Sequence, residues 1–275
     1  MRYFRIFAIC VFALSLIFAG WANVRYYSNL NTDMPVIKSE TDLLEISVAD
    51  GAEALLEGLT ARDETDGDLT DQIMVASTSH FLEQGLMNVK YVVFDRHHNA
   101  ATLTRKVLYT DYESPRFSLS VPSVYARGQN FDLLKFVHVE DCIEGDISNR
   151  IRIITNMVNM YAAGVYPVTL EAANSCGDVA QLTLWVTVTN QQNTAVIALD
   201  KYIAYVDQGT TFDPYSYINS VKNISGVPLQ KELVQVSGNV DMNTPGTYLI
   251  EYEYSDGSNT GLTTMTVVVR GEAEA

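Results

Sequence analysis

The sequence predicts an all-β chain built as three tandem small β-domains, preceded by one apolar helix. Three observations carry this. A glycine-led pattern occurs three times, over Gly85–Asp95, Gly164–Asn174 and Gly246–Asp256, with starts 79 and 82 residues apart. Within each copy apolar side chains take every second position: Met87, Val89, Tyr91 and Val93; Tyr166, Val168, Leu170 and Ala172; Tyr248, Ile250, Tyr252 and Tyr254. Successive strand side chains point to opposite faces, so each copy is a half-buried strand running from a glycine turn into a hairpin turn. The chain is also 47% apolar and only 19% charged over 275 residues, enough apolar material for a core in each unit of this size and unlike a disordered tail.

Charge narrows the partners. The formal net charge is −15, which excludes nucleic acid, whose binding sites are built from Lys and Arg. It suits a solvent-facing protein and leaves carboxylates for divalent cations.

Residues 1–28 read as a signal-anchor or signal peptide. Arg2 and Arg5 precede an apolar run over residues 6–22, and Arg25 with a polar stretch follows. The run is at the lower edge for a membrane span and slightly long for a signal-peptide core. Two outcomes stay open. Trp21 and the long apolar core favour retention as a single-pass tether with the later domains extracellular. Gly20 and Ala22 permit cleavage and secretion. Both place everything after Asn23 outside the cell.

The first domain is expected over residues 34–111. Its Asp63–Thr70 segment (DETDGDLT) is a tight acidic turn: Asp side chains accept from nearby backbone N–H groups, and Gly67 supplies a positive φ. The same residues admit a Ca²⁺ site of Asp63, Asp66, Asp68 and Asp95, since hard cations prefer clustered oxygens, although the spacing is not that of an EF-hand loop. The hairpin turn Asp95–Asn99 carries His97 and His98. Paired histidines have transition-metal chemistry, but no third ligand is marked nearby, so the turn reads as exposed.

The second domain is expected over residues 113–190. Gly145 repeats Gly67, and Asn174–Asp178 repeats the Asp95 hairpin. Cys142 and Cys176 fall at these two landmarks, and in an exported chain they read as a disulfide worth about 3–4 kcal/mol through loop closure. That pairing makes the two loops spatial neighbours, here and by analogy in the first domain, which is why Asp95 joins the candidate ligands. Along the last strand Leu182, Leu184, Val186 and Val188 form an aliphatic row. Trp185 lies on the opposite face, where it covers a junction between domains or meets a ligand.

The third domain is expected over residues 193–270, after a short polar linker. Its counterpart of the acidic turn, Ser225–Leu229, keeps the glycine and loses the carboxylates, which argues for turn chemistry over metal in the other two. Residues 271–275 are a polar tail.

The acidic Asp66-Gly67-Asp68-Leu69-Thr70 turn, the Pro245-Gly246-Thr247-Tyr248 strand entry and the Thr/Val-rich closing strands together resemble the bacterial immunoglobulin-like repeats of Gram-positive surface proteins. These repeats are related to the HYR class and occur also as accessory domains of some insecticidal crystal proteins. The resemblance spans about residues 34–270. It implies one Ig-like β-sandwich per repeat, with Tyr166 and Tyr248 at the tyrosine-corner position and Met87 replacing it in the first.

The fold is nearly silent on function. The expected role is a structural spacer or adhesion and protein-interaction module at the cell surface, with an extracellular protein or glycan as partner. The alternative is a carbohydrate-binding surface, with Trp185 as ligand-binding candidate. No Gly-x-Ser-x-Gly, His-Glu-x-x-His or phosphate loop occurs, and the four histidines form no evident constellation, so the expectation is a protein that is not an enzyme. No cofactor is expected beyond the possible Ca²⁺.

Overall fold

The computed structural model describes the backbone of residues 2–28 and 33–271, and side chains over 11–25 and 33–271. Apart from the N-terminal helix and short 3₁₀ turns it is all-β, and it divides into two compact units, Met1–Asp111 and Tyr112–Ala275. The tail expected over 271–275 lies outside the described residues except for Gly271.

The helix Arg2–Ser28 has no acidic residue in its first turn and Arg25 in its last. That cation complements the C-terminal end of the helix dipole. Its guanidinium also lies 5.1 Å from the Trp21 ring. Every described side chain of the helix is exposed, Phe12, Ile17 and Phe18 among them. Among the described residues no helix is long and apolar enough to cross a membrane. The single-pass tether expected over residues 6–22 is therefore not supported among the described residues. Residues 6–10 have side chains outside the described set.

The first unit packs two sheets over one core. Leu59–Asp63 is flanked by Val36–Ser39 and Gly67–Asp68. Opposite it, four strands run in the order Leu43–Ile46, Ala100–Tyr109, Leu86–Phe94, Met74–Thr78. All pairs are antiparallel except the first of these four, which joins Leu43–Ile46 to Ala100–Tyr109 in parallel. The alternation read from the sequence is the alternation of burial: Met87, Val89, Tyr91 and Val93 point inward against Ile37, Leu59 and Ala61. The Tyr91 hydroxyl donates to the Leu55 carbonyl at 2.8 Å. The buried Arg105 reaches the same carbonyl through Nη2 at 2.8 Å.

The second unit repeats this plan twice. One core gathers Phe117, Val137, Val139, Val168, Leu170, Leu182, Leu184 and Val186; the other gathers Ile197, Val221, Ile250, Tyr252, Tyr254, Met265 and Val267. Long antiparallel hairpins centre both, Gly164–Ala173 with Val179–Thr189 and Gly246–Ser255 with Thr260–Arg270. The tyrosine corners form: the Tyr166 hydroxyl donates to Ala162 O at 2.9 Å and the Tyr248 hydroxyl to Thr244 O at 2.7 Å.

The two cores are joined rather than merely tethered. Thr260–Arg270 is buried on both faces for most of its length. Met265 and Val267 face their own core, and Val268 packs against the preceding one. Ile203 also belongs to that preceding core. The Phe117 N–H donates to the Tyr205 hydroxyl at 2.9 Å, and the Ser123 and Thr264 hydroxyls lie 3.3 Å apart. The threonines that read as strand formers thus serve as a polar packing face between two sandwiches.

Candidate functional site

The two acidic turns follow the strands Leu59–Asp63 and Val137–Asp141. In the first unit Asp63 is 2% exposed, and its Oδ1 accepts from Thr65 N at 2.8 Å and Asp66 N at 2.9 Å. Gly67 follows at φ +79°. Asp141 repeats this in the second unit with Ile143 N at 3.0 Å and Glu144 N at 2.9 Å. In the third repeat Asn223 caps a related turn with Ser225 N and Val227 N, the i+2 and i+4 spacing, and Gly226 supplies the positive φ. An amide oxygen can cap such a turn as a carboxylate does, so a turn persists without the charge.

The hairpin turns are built alike. Asp95 Oδ1 accepts from His97 N at 2.8 Å and Asn99 N at 2.7 Å, and Oδ2 accepts from Asn99 Nδ2 at 2.7 Å. Burial pushes the Asp95 carboxyl up, but these donors win and hold it below the ordinary carboxylate value. Asp256 accepts from Ser258 N at 2.9 Å and Asn259 N at 2.7 Å, and the Asn259 and Ser258 N–H groups bring its pKa down to about 2. A carboxylate depressed on folding stabilises the fold above its unfolded pKa, near 4, and that contribution is lost as pH falls from about 4 towards 2. We expect Asp256→Ala to lower the melting temperature at pH 7 and the gap from wild type to close by pH 2. An Asp256 carboxyl that titrates near 4 by NMR would remove the basis of this expectation.

The structure brings three of the four proposed Ca²⁺ ligands to one end of the first unit and leaves the fourth apart. Asp66, with its side chain 4% exposed, accepts from Arg96 N at 2.8 Å and so ties the acidic turn to the hairpin turn that holds Asp95. Asp63 ends the strand beneath. Asp68 is exposed and caps Thr70 N at 2.9 Å. Sequence reasoning missed the third ligand for the histidine turn: His97, Asp66 and Asp95 present ligand atoms all within 4.8 Å of one another. Asp66 lies 31 residues before His97, and only the register between the two turns could have signalled it.

In the second unit the corresponding loops do meet, through different groups from those expected. Asn174 Nδ2 donates to Asp141 Oδ2 at 2.9 Å, and Ser175 N donates to Glu144 Oε1 at 2.5 Å. Cys142 and Cys176 are free thiols rather than a disulfide. The Cys142 thiol is turned away to donate to Glu113 O at 3.1 Å, and Cys176 is half-buried. Burial first, then neighbouring carboxylates, push the Cys176 thiol up, while burial outweighs the Glu113 contact at Cys142. Both therefore favour the unreactive protonated form.

Trp185 lies at the junction inside the second unit. It lines a groove of about 430 Å³ with Val165, Gly238, Thr247, Tyr248, Leu249 and Glu251. Its indole N–H is buried with no hydrogen-bond partner among the described residues.

Residues 200–269 match the family model described as bacterial surface protein, Ig-like domain. Over 119 residues the chain is 32% identical to the pesticidal crystal protein Cry22Aa of Bacillus thuringiensis, a match covering 42% of this chain and 16% of that protein. An uncharacterised 81.3 kDa protein of Acholeplasma phage L2 is 22% identical over 84% of this chain and 32% of its own length. The chain thus spans under a third of either curated relative. Among solved structures, Drosophila N-cadherin EC1-3 aligns with 84% of this chain and 98% of its own at 11% identity and a TM-score of 0.29. A Clostridium perfringens ZmpB structure containing the M60 catalytic domain and two CBM51 domains aligns with 88% of this chain and 31% of its own, at 12% identity and a TM-score of 0.25. The resemblance to bacterial immunoglobulin-like surface repeats therefore stands on a family model over residues 200–269.

Proposed function

We propose that this chain is an exported surface protein that is not an enzyme, and that its Ig-like sandwiches act as a stiff spacer and adhesion module. The observation that carries the reading is the joint within the second unit. Thr264 and Val268 turn the closing strand of one sandwich into a packed face for its neighbour, so the pair resists bending. A spacer needs such joints; a flexible string of domains has polar linkers instead. The match of residues 200–269 to a surface-protein domain supports the location. The exposed apolar helix is read here as the export-targeting segment. The test is protease accessibility: the full chain is expressed in a bacterial host and protease is added to intact cells. Digestion of the β-domains supports the reading. Protection until lysis overturns it.

The groove beside Trp185 favours glycan binding as the second reading, because a buried indole donor with no partner suits a ligand hydroxyl. Binding on a glycan array that Trp185→Ala abolishes would establish it; an array with no Trp185-dependent signal would leave the spacer role alone.

A further inference from the structure

The two units solve one electrostatic problem differently, and the difference marks a ligand. In the second unit the buried Asp141 carboxylate is fully partnered: Oδ1 takes two backbone N–H groups, and Oδ2 takes the Asn174 amide at 2.9 Å. Asp63 repeats the first half of this arrangement. Its Oδ2, on a side chain 2% exposed, has no hydrogen-bond partner among the described residues. The residue in register with Asn174 is Asp95, 79 positions earlier, and it is 6% exposed. Where the second unit has an amide donor in register, the first has another acceptor. Asp95 is satisfied by His97 N, Asn99 N and Asn99 Nδ2, so the buried Asp63 Oδ2 stays unsatisfied unless a cation or proton reaches it.

A third carboxylate sits at the same place. Asp66 occupies the position of Glu144. Glu144 is neutralised by Arg150 Nη2 at 2.6 Å, whereas Asp66 has only the Arg96 backbone N–H and a loose 3.6 Å approach of Arg96 Nε, on a side chain 85% exposed. Gln72 stands in register with Arg150 and brings no charge. His97 completes the set, its ring nitrogen within 4.8 Å of both Asp66 and Asp95 carboxylate oxygens.

We propose that Asp66, Asp95 and His97 bind a first-row divalent transition-metal ion of the Zn²⁺ class, with the buried, unpartnered Asp63 carboxylate of the same turn as a further counter-charge. An imidazole beside two carboxylates selects this class, because Ca²⁺ prefers oxygen donors alone and more of them than this cluster presents. The site joins the acidic turn to the histidine hairpin, so the ion cross-links the two turns that close the first unit. The second unit lacks the same donor set: Asn174 replaces Asp95, and Arg150 neutralises Glu144 at the position of Asp66.

The test uses the full chain with Cys142→Ser and Cys176→Ser, which removes the thiols as competing Zn²⁺ ligands. It is stripped of metal and titrated with ZnCl₂ and separately with CaCl₂ by calorimetry, with thermal melts alongside. One Zn²⁺ per chain is expected, raising the first unit's melting temperature by roughly 10–20 °C at a hundredfold excess over Kd. His97→Ala should weaken binding roughly a hundredfold. Asp95→Asn should abolish binding; its amide loses the Asn99 Nδ2 bond but offers Asp63 the donor that Asn174 gives Asp141, so without metal it should melt close to wild type. Absence of saturable Zn²⁺ binding overturns the proposal. So does Zn²⁺ binding that survives both substitutions, which places the ion elsewhere, and so does a Ca²⁺-induced rise that His97→Ala leaves intact. An Asp95→Asn variant that melts well below wild type without metal overturns the role given to Asp63.

Discussion

Gly238→Ala is expected to destabilise the second unit by about 3 kcal/mol or more, and its melting temperature to fall by roughly 10 °C. Gly238 follows the edge strand Val234–Ser237 at φ +114°, a conformation that L side chains rarely adopt. A Cβ there would lie 2.4 Å from the Leu249 carbonyl oxygen and 3.0 Å from Ile250 Cδ1. The first contact is backbone in the middle of the Gly246–Ser255 strand, so it cannot rotate away; the second is a core side chain 2% exposed. Relief requires moving the strand that carries Tyr252 and Tyr254, and a close-packed core makes that movement costly. Gly257→Ala is the internal control. Gly257 has a similarly positive φ of +85°, but nothing lies within 4 Å of its Cβ position, so only the backbone strain of about 1 kcal/mol is expected. Equal losses in the two variants, measured by urea unfolding, would refute the close-approach account. Gly238 also lines the Trp185 groove, so the same variant is expected to narrow it.

The contrast between these glycines shows what the sequence can and cannot carry. Glycines at repeating positions, Gly67 and Gly145 above all, announce positive-φ turns because local chemistry fixes them: an Asp or Asn capping two N–H groups needs that turn whatever surrounds it. Period-2 alternation likewise places Met87, Val89, Tyr91 and Val93 inward, since one buried face dictates it. Gly238 has no such mark; its constraint comes from a strand that the chain reaches only eleven residues later. The candidate site divides in the same way. Asp66 and Asp95 were legible because each builds a local turn, and their proximity followed from the two cysteines that suggested neighbouring loops. The joining of His97 to them was not, because the pairing register of the sheets decides which turn overhangs which. The cysteines themselves show the limit of register. It places Cys142 and Cys176 on adjoining loops, but not their side-chain directions, and Cys142 points to Glu113 instead. The Thr/Val composition of Thr260–Arg270 marks a closing strand but not that packing against the preceding sandwich buries both of its faces.

Asn174→Ala is the second large effect, expected at about 3 kcal/mol and a fall of roughly 8 °C. The side chain is 6% exposed and holds three groups together. Its Nδ2 donates to Asp141 Oδ2 at 2.9 Å and to the Tyr112 hydroxyl at 2.9 Å, and its Oδ1 accepts from Asp178 N at 2.9 Å. The Tyr112 hydroxyl donates in turn to Asp178 Oδ2 at 2.7 Å. Burial first, then that bond to Asp178, keep the phenol protonated far above its ordinary range, so it remains a donor at any working pH. Truncation removes the side-chain donor of Asp141 Oδ2 and leaves that oxygen of a carboxylate 1% exposed unmet. An uncompensated buried charge costs more than a lost neutral hydrogen bond, which is why the loss should exceed a typical deletion. The loss must also be coupled. Asp141→Ala alone disrupts the turn and wastes the Asn174 donor, so the double variant should be less destabilised than the sum of the singles by roughly 1 kcal/mol or more. Additive losses in a double-mutant cycle would mean that Asp141 and Asn174 act separately, and the comparison that singles out Asp63 and Asp95 in the first unit would lose its reference.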